Sequence, residues 1–210
     1  MNIAIIGSGH VGGTLGTRWA QGGHTVAFAS RNSASPEMSE LVKRAGPNAR
    51  AASASEAAAT SHVVLFATPW EATEAALASA GDLNNKIVID ATNPLYSDLS
   101  GLSVGTTTSA AEKVQLLATG AKVVKAFNTI GYNIMADPKF GADQAVMFYC
   151  GDHGDAKEVV KQLATELGFD ALDAGPLTQA RVLEPFALLW ISLAYKAGFG
   201  REIAFKLLQR

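Results

Sequence analysis

The sequence predicts an α/β fold, a doubly wound parallel sheet followed by a small, mainly helical C-terminal extension. Short runs rich in Val, Ile, Phe and Ala alternate with helical stretches almost from end to end. These runs lack strict apolar–polar alternation, as expected when helices cover both faces of a parallel strand. The first run passes directly into Gly7-Ser8-Gly9-His10-Val11-Gly12, a glycine-rich turn that opens a helix.

Taken in order, the strand candidates are residues 2–6, 25–29, 62–67, 86–90, 122–126 and 145–149. The helices between them carry recognisable punctuation. Ser35-Pro36-Glu37 supplies an N-cap, a proline at the first helical position and an acid in the first turn, and Gly46-Pro47 ends that helix. Ser53 and Glu56 have capping-box spacing, so residues 51–60 read as a short surface helix. Gly22-Gly23 and Gly81 are stop signals. Right-handed crossovers would place these helices on both faces of the sheet. Six strands match two mononucleotide-binding halves, with a crevice at the strand carboxyl ends.

Beyond residue 149 the sequence predicts a helix over 155–167, a short strand over 169–172, and a long apolar helix from Thr178 onward. Pro185 is expected near the start of that helix, where a missing N–H costs least. Leu183, Phe186, Leu188, Leu189, Trp190, Ile191, Leu193 and Tyr195 wrap around more than one of its faces. A helix this apolar must be buried by its own domain or by a second subunit, and a homodimer interface is expected there. The chain thus divides into a dinucleotide-binding unit, residues 1–150, and an extension, residues 151–210, that closes the acceptor pocket and dimerises.

Composition narrows the function. Of 210 residues, 48% are hydrophobic and 17% charged, an ordinary globular balance. A net charge of −2 leaves no electrostatic footprint for nucleic acid, and no Lys/Arg-rich run marks a membrane surface. Cys150 is the sole cysteine, which excludes an intrachain disulfide and reads as a small buried residue at a strand end. His10, His24, His62 and His153 show no metal-ligand spacing, so no metal is expected. The opening residues lack a charged n-region and read as a strand rather than a signal peptide. The longest apolar run, Phe186 to Tyr195, is too short to span a bilayer, and a cytoplasmic protein is the expectation.

The glycine motif gives the sharpest chemistry. Gly7 permits the tight turn, Gly9 lets the backbone approach a pyrophosphate, and Gly12 lets helix and strand pack closely. Free amides at the helix start then point at the phosphates. An NAD-preferring site would place an acid at the end of the second strand, where this chain has Ser30-Arg31-Asn32. A planar guanidinium and a hydroxyl suit a ribose 2′-phosphate, so NADP(H) is the expected cofactor. Such a charge-assisted contact is worth roughly 1.5–3 kcal/mol. Ala67-Thr68-Pro69-Trp70 ends the third strand beside the first turn, placing Thr68 and its backbone near the ribose or pyrophosphate. Trp70 either packs near the adenine or staples the next helix. Asn93 offers donor and acceptor to a ribose or carboxamide, and Tyr96 and Asp98 sit on a long loop that is a lid candidate.

With these pieces in view, the chain resembles the NADPH-dependent reductases of the deazaflavin coenzyme F420. It is also similar to the cytosolic NADPH domains of six-transmembrane ferric reductases. The matching segments are Gly7–Gly12, Ala29-Ser30-Arg31, Thr68-Pro69-Trp70-Glu71, Cys150-Gly151-Asp152, and Asp173-Ala174-Gly175-Pro176-Leu177 with Arg181 and Glu184. The resemblance implies that Ser8, Gly9, His10 and Val11 line the pyrophosphate and that Ser30 and Arg31 hold the 2′-phosphate. It implies that Phe127, Asn128, Thr129 and Ile130 face the nicotinamide and a small planar acceptor, with Gly175, Pro176 and Leu177 closing the pocket. The deazaflavin reductases carry a His-Thr-Ile-Pro type segment after the fifth strand. Asn128-Thr129-Ile130-Gly131 departs from it toward the ferric-reductase pattern, which passes electrons to a flavin. Deazaflavin, flavin or another acceptor therefore all stay open.

For a flavin-type acceptor no acid or base is required, since hydride passes directly between stacked rings. That agrees with the lack of a Lys/His/carboxylate catalytic set. Lys125 and Arg181, the cations expected near the site, fit an ion pair or an anion anchor as well as they fit catalysis. Two other readings are an NADP-dependent reductase of a small imine or hydroxyacid, and a non-enzymatic NADP(H)-sensing module.

Overall fold

A computed structural model describes residues 1–210. The first half runs β1 (Asn2–Ile6), α1 (His10–Gln21), β2 (Thr25–Ala29), α2 (Pro36–Ala45), β3 (Ala49–Ala52), α3 (Ala54–Ala59), β4 (Val63–Phe66) and α4 (Trp70–Ala80). It continues through β5 (Ile87–Asp90), α5 (Ala110–Leu117), β6 (Lys122–Lys125), α6 (Tyr132–Ala136) and a small hairpin, β7 (Lys139–Phe140) with β8 (Asp143–Gln144). Then follow β9 (Val146–Gly151), α7 (Gly154–Glu166), β10 (Asp170–Asp173), a 3₁₀ turn (Leu177–Gln179), α8 (Ala180–Ile191) and a π turn (Ser192–Lys196). No helix is long and apolar enough to cross a membrane.

Eight strands form one sheet in the order β10-β9-β6-β5-β4-β1-β2-β3. Alternate residues of β1 serve different cores. Ile3 and Ile5 pack with Leu15, Trp19 and Phe28 under α1, whereas Ala4 and Ile6 join Val64, Phe66, Leu77 and Val114 on the other face. This two-sided burial is why the strand runs lack alternation. Close packing of α1 depends on glycines one turn apart. A Cβ at Gly16 would lie 2.3 Å from Phe28 Cε1, and one at Gly12 would lie 2.1 Å from the Gly7 carbonyl oxygen.

Several expectations are corrected. The strand expected at 145–149 is β9, and it runs antiparallel to β6, with Lys125 opposite Cys150. A parallel return needs a crossover that spans the sheet, and α6, of five residues, is too short for one. The short strand near 170, β10, pairs parallel to β9 and extends the same sheet. Residues 51–60 divide into the end of edge strand β3 and helix α3, whose Ala57 and Ala58 are fully buried. Pro185 sits inside α8 on its exposed side, several residues past the helix start.

Candidate dinucleotide and acceptor site

β1 pairs with β2 on one side and β4 on the other, so the connections reverse direction between β1 and β4. A crevice opens at such a switch point, and Gly7 lies in it. Its φ of +100° is open to glycine, and a Cβ there would lie 2.7 Å from the Ala67 carbonyl oxygen. Its amide donates to the Ala29 carbonyl at 3.0 Å, which draws the ends of β1, β2 and β4 together.

Gly9 is the N-cap of α1, and no side chain caps that terminus, nor is there an acid in its first turn. The helices α2, α3 and α5, by contrast, are capped by Ser35, Ser53 and Ser109. A Cβ at Gly9 would meet nothing within 4 Å, so the approach to the free amides of α1 is open. This is a fit for a diphosphate, which needs backbone donors and an unobstructed path. Ser8 is half-buried and His10 exposed at that mouth, while the half-buried Val11 packs toward the core.

On the β2 side, Ser30 is half-buried and Arg31 and Asn32 are exposed. The Arg31 guanidinium enters none of the protein's ion pairs or hydrogen bonds, so no internal partner competes for it. Asn32 is engaged, its Oδ1 accepting from the Ala34 amide at 3.2 Å in the turn toward α2. Across the switch point, Thr68 Oγ1 meets Thr73 Oγ1 at 3.1 Å, Pro69 is the uncapped start of α4, and Trp70 packs against the core beneath that helix.

The ends of β5 and β6 are joined by two polar networks. Asn93 Nδ2 donates to the Asn128 carbonyl at 2.8 Å, and Asn128 Nδ2 donates to Asn93 Oδ1 and to the Leu183 carbonyl on α8. Beneath them Lys125, fully buried, sits 2.9 Å from Asp90 Oδ2 and 2.9 Å from Glu184 Oε1 and donates to the Thr92 carbonyl. Burial pulls the Lys125 ammonium down, but the attraction of Asp90 and Glu184 outweighs it and holds the group above its ordinary range. Glu184 also accepts from the Ala110 and Ala111 amides and so caps α5. Asp90 accepts from the Thr92 amide and hydroxyl. Arg181 forms a bidentate pair with Glu112. The structure thus gives both cations structural partners.

The sequence assigns no role at the site to Asp90, Thr92 or Glu184, although Glu184 belongs to the segments that carry the resemblance. The available signal was a lysine closing an apolar strand run beside another run that ends in aspartate.

Phe127 is not placed as expected. Its φ of +61° turns the chain at the end of β6 and sends the ring into the core, edge-on to Trp19 at 5.6 Å. Only its backbone faces the strand ends. Asn128, Thr129 and Ile130 are buried immediately beyond it. Pro176 and Leu177 lie beside the body of β6 and not at the ends of β5 and β6. The Gly175 carbonyl accepts from the Gly151 amide, opposite Val124 in the body of β6, and Leu177 is buried against Cys150. The antiparallel course of β9 and the parallel β10 carry this segment away from the crevice. The element that returns is α8, through Leu183, Glu184 and Trp190, whose indole would lie 2.7 Å from a Cβ at Gly131. Burial pushes the Cys150 thiol up to about 12, which suits a packing role.

A family profile described as NADP oxidoreductase coenzyme F420-dependent matches residues 2–94. An F420-dependent NADP reductase of Methanothermobacter marburgensis is 33% identical, over 93% of this chain and 93% of that one. The rat metalloreductase STEAP3 is 32% identical over 89% of this chain, which spans 36% of it. Among solved structures, that of a putative F420 dependent NADP-reductase from Arthrobacter sp. FB24 superposes with a TM-score of 0.90 at 31% identity, covering both chains fully. With the switch-point crevice and its glycine turn in place, these likenesses show that the chain belongs to the coenzyme F420-dependent NADP oxidoreductase family.

Proposed function

We propose that the protein transfers a hydride between NADP(H) and the deazaflavin ring of coenzyme F420. The observation that carries this reading is the open, uncapped start of α1 at the switch point, flanked by the unpaired Arg31, in a chain of this family. In it the α1 amides with Ser8 and His10 hold the diphosphate, Ser30 and Arg31 hold the 2′-phosphate, and Asn93, Asn128, Thr129 and Ile130 border the reacting ring. When bound, the nicotinamide supplies the hydride. The protein's residues set the distance and tilt of the two rings and keep water out. No side chain needs to move a proton, in keeping with the paired state of Lys125, Arg181 and Glu184.

In the same reading, residues 1–150 form the dinucleotide-binding part, and residues 151–210 complete the acceptor side through α8. A homodimer through α8 is supported by the exposure of Val182 (60%), Leu189 (47%), Tyr195 (58%) and Phe199 (66%) along that stretch. We place the protein in the cytoplasm, where a lone buried cysteine stays reduced. The test is to mix NADPH with oxidised F420 or with FMN and follow the nicotinamide and deazaflavin absorbance bands. Coupled loss of both bands with F420 is expected. Turnover with FMN alone would reassign the acceptor to the flavins, and NADPH binding without turnover would favour a sensor.

A further inference from the structure

The segment after α8 folds back onto Tyr132, whose ring in turn packs beside the glycine turn. After α8, Gly198 and Gly200 adopt φ of +79° and +73° and fold the chain back on itself. The segment that follows is fastened at successive points. Asn133 Nδ2 donates to the Arg201 carbonyl, Trp190 Nε1 to the Ile203 carbonyl at 2.9 Å, and the Val146 amide to the Phe205 carbonyl at 3.0 Å, while Lys206 pairs with Asp143. Arg201 thereby arrives with its guanidinium carbon 4.1 Å from the centre of the Tyr132 ring and donates to the Tyr132 hydroxyl at 3.1 Å. The same tyrosine ring stacks on the His10 imidazole, centres 4.4 Å apart and planes 9° from parallel. His10 is the first residue of α1, and both rings line a cleft of about 730 Å³ that includes Ser8 and Gly9.

We propose that Arg201 is a positioning residue for dinucleotide binding, acting through Tyr132 to hold His10, and with it the open start of α1, in the orientation that receives the diphosphate. The proposal rests on the NADP(H) reading above. His10 is exposed and has no hydrogen-bond partner in the protein, so its stack on Tyr132 is what restrains its ring. Tyr132 lies at the first position of a five-residue helix, too short to be rigid by itself. The cation over its face and the bond to its hydroxyl supply what the helix lacks. The tail thus completes the nucleotide site without touching the nucleotide.

The experiment compares Arg201→Gln, Arg201→Lys and Tyr132→Leu in the full chain, by NADPH titration and steady-state kinetics. A cation–π contact at a partly exposed site corresponds to about a two- to fivefold change in affinity. Arg201→Gln is expected to raise the NADPH Kd and KM by that factor with no matching fall in kcat, and Arg201→Lys to recover most of it. The double variant Arg201→Gln/Tyr132→Leu should be no weaker than Tyr132→Leu alone, because the two act in series. Unchanged NADPH affinity in folded Arg201→Gln, a loss confined to kcat, or additive effects in the double variant would each overturn the proposal. If Tyr132→Leu does not fold, the pair Arg201→Gln and Arg201→Lys still decides it. A parent protein that fails to bind NADPH would instead sink the functional reading on which it rests.

Discussion

Replacing Lys125 with methionine tests whether the buried charges are structural or chemical. The ammonium has no exposed surface and lies 2.9 Å from each of two carboxylates that are themselves buried. Methionine matches the length of the stem but removes the charge, leaving Asp90 and Glu184 facing one another. Breaking a buried ion pair by removing one partner costs about 3–5 kcal/mol. The bond to the Thr92 carbonyl is lost as well, though Asp90 still holds that turn through the Thr92 amide. In a chain of this length such a loss corresponds to a fall in Tm of roughly 6–20 °C. Thermal unfolding and urea titration give the number. Adding Glu184→Gln should recover part of it, since the glutamine oxygen can still accept from one of the two α5 amides while the repulsion between carboxylates disappears. Lys125→Met with parental stability, or one in which Tm holds but kcat falls by orders of magnitude, would refute the structural assignment.

Four further outcomes follow from the site. Arg31→Ala is expected to weaken NADPH binding about ten- to a hundredfold and to leave NADH binding almost unchanged, read from the fluorescence of the reduced nicotinamide; equal losses for both would remove the 2′-phosphate assignment. Gly12→Ala places a methyl 2.1 Å from the Gly7 carbonyl oxygen, so it should unfold or displace α1, whereas Gly9→Ala meets no protein atom and should fold yet bind the dinucleotide poorly. Circular dichroism and NADPH titration separate the two. Glu112 is held below its ordinary range, chiefly by its bond to Arg181; its contribution is therefore present above the unfolded carboxylate pKa and lost as pH falls through the lower folded value. Arg181→Met should diminish that acid-limb dependence of the urea midpoint, measured across about pH 3 to 6, leaving the smaller part that Ser109 supplies. Truncation before Thr178 strips Glu184 from Lys125 and uncovers the apolar face beneath α8, so aggregation in size-exclusion chromatography is the expected result.

The sequence made the nucleotide half legible because its chemistry is local. A turn, an uncapped helix start and the residue after the second strand are each read within a few positions, and Gly7, Gly9, Gly12 and Arg31 stand where that reading puts them relative to β1, α1 and β2. The acceptor half depends on long-range pairing. Residues 145–149 look the same whether the strand runs parallel or antiparallel, because burial on both faces leaves no directional mark. That one ambiguity hides the position of Pro176 and Leu177 beside the body of β6. Phe127 failed for a different reason: a positive φ in a buried aromatic residue is imposed by tertiary packing and runs against its local preference. β3 escaped notice since Ala49–Ala52 is an edge strand of alanine and arginine, residues with little strand propensity.

The distribution of charge constrains how the site can work. At the β5–β6 end, the charged groups in and beside the buried network are committed: Lys125 to two acids, Glu184 to Lys125 and the α5 amides, and Arg181 to Glu112. A reaction needing a general acid there would have to break one of these networks at each turnover, at a cost comparable to a good part of the protein's stability. Exchange of a hydride between two flat rings makes no such demand. What it requires is fixed separation and orientation, and these networks serve that end, for they tie β5, β6, α5 and α8 into one frame around Asn93 and Asn128. Arg31, a cation with no protein partner, lies on the opposite, β2 side of the crevice, where the proposed reading has it attract the 2′-phosphate. The separation of free charge at one end from locked charge at the other is what a site that binds by electrostatics and reacts by alignment should show.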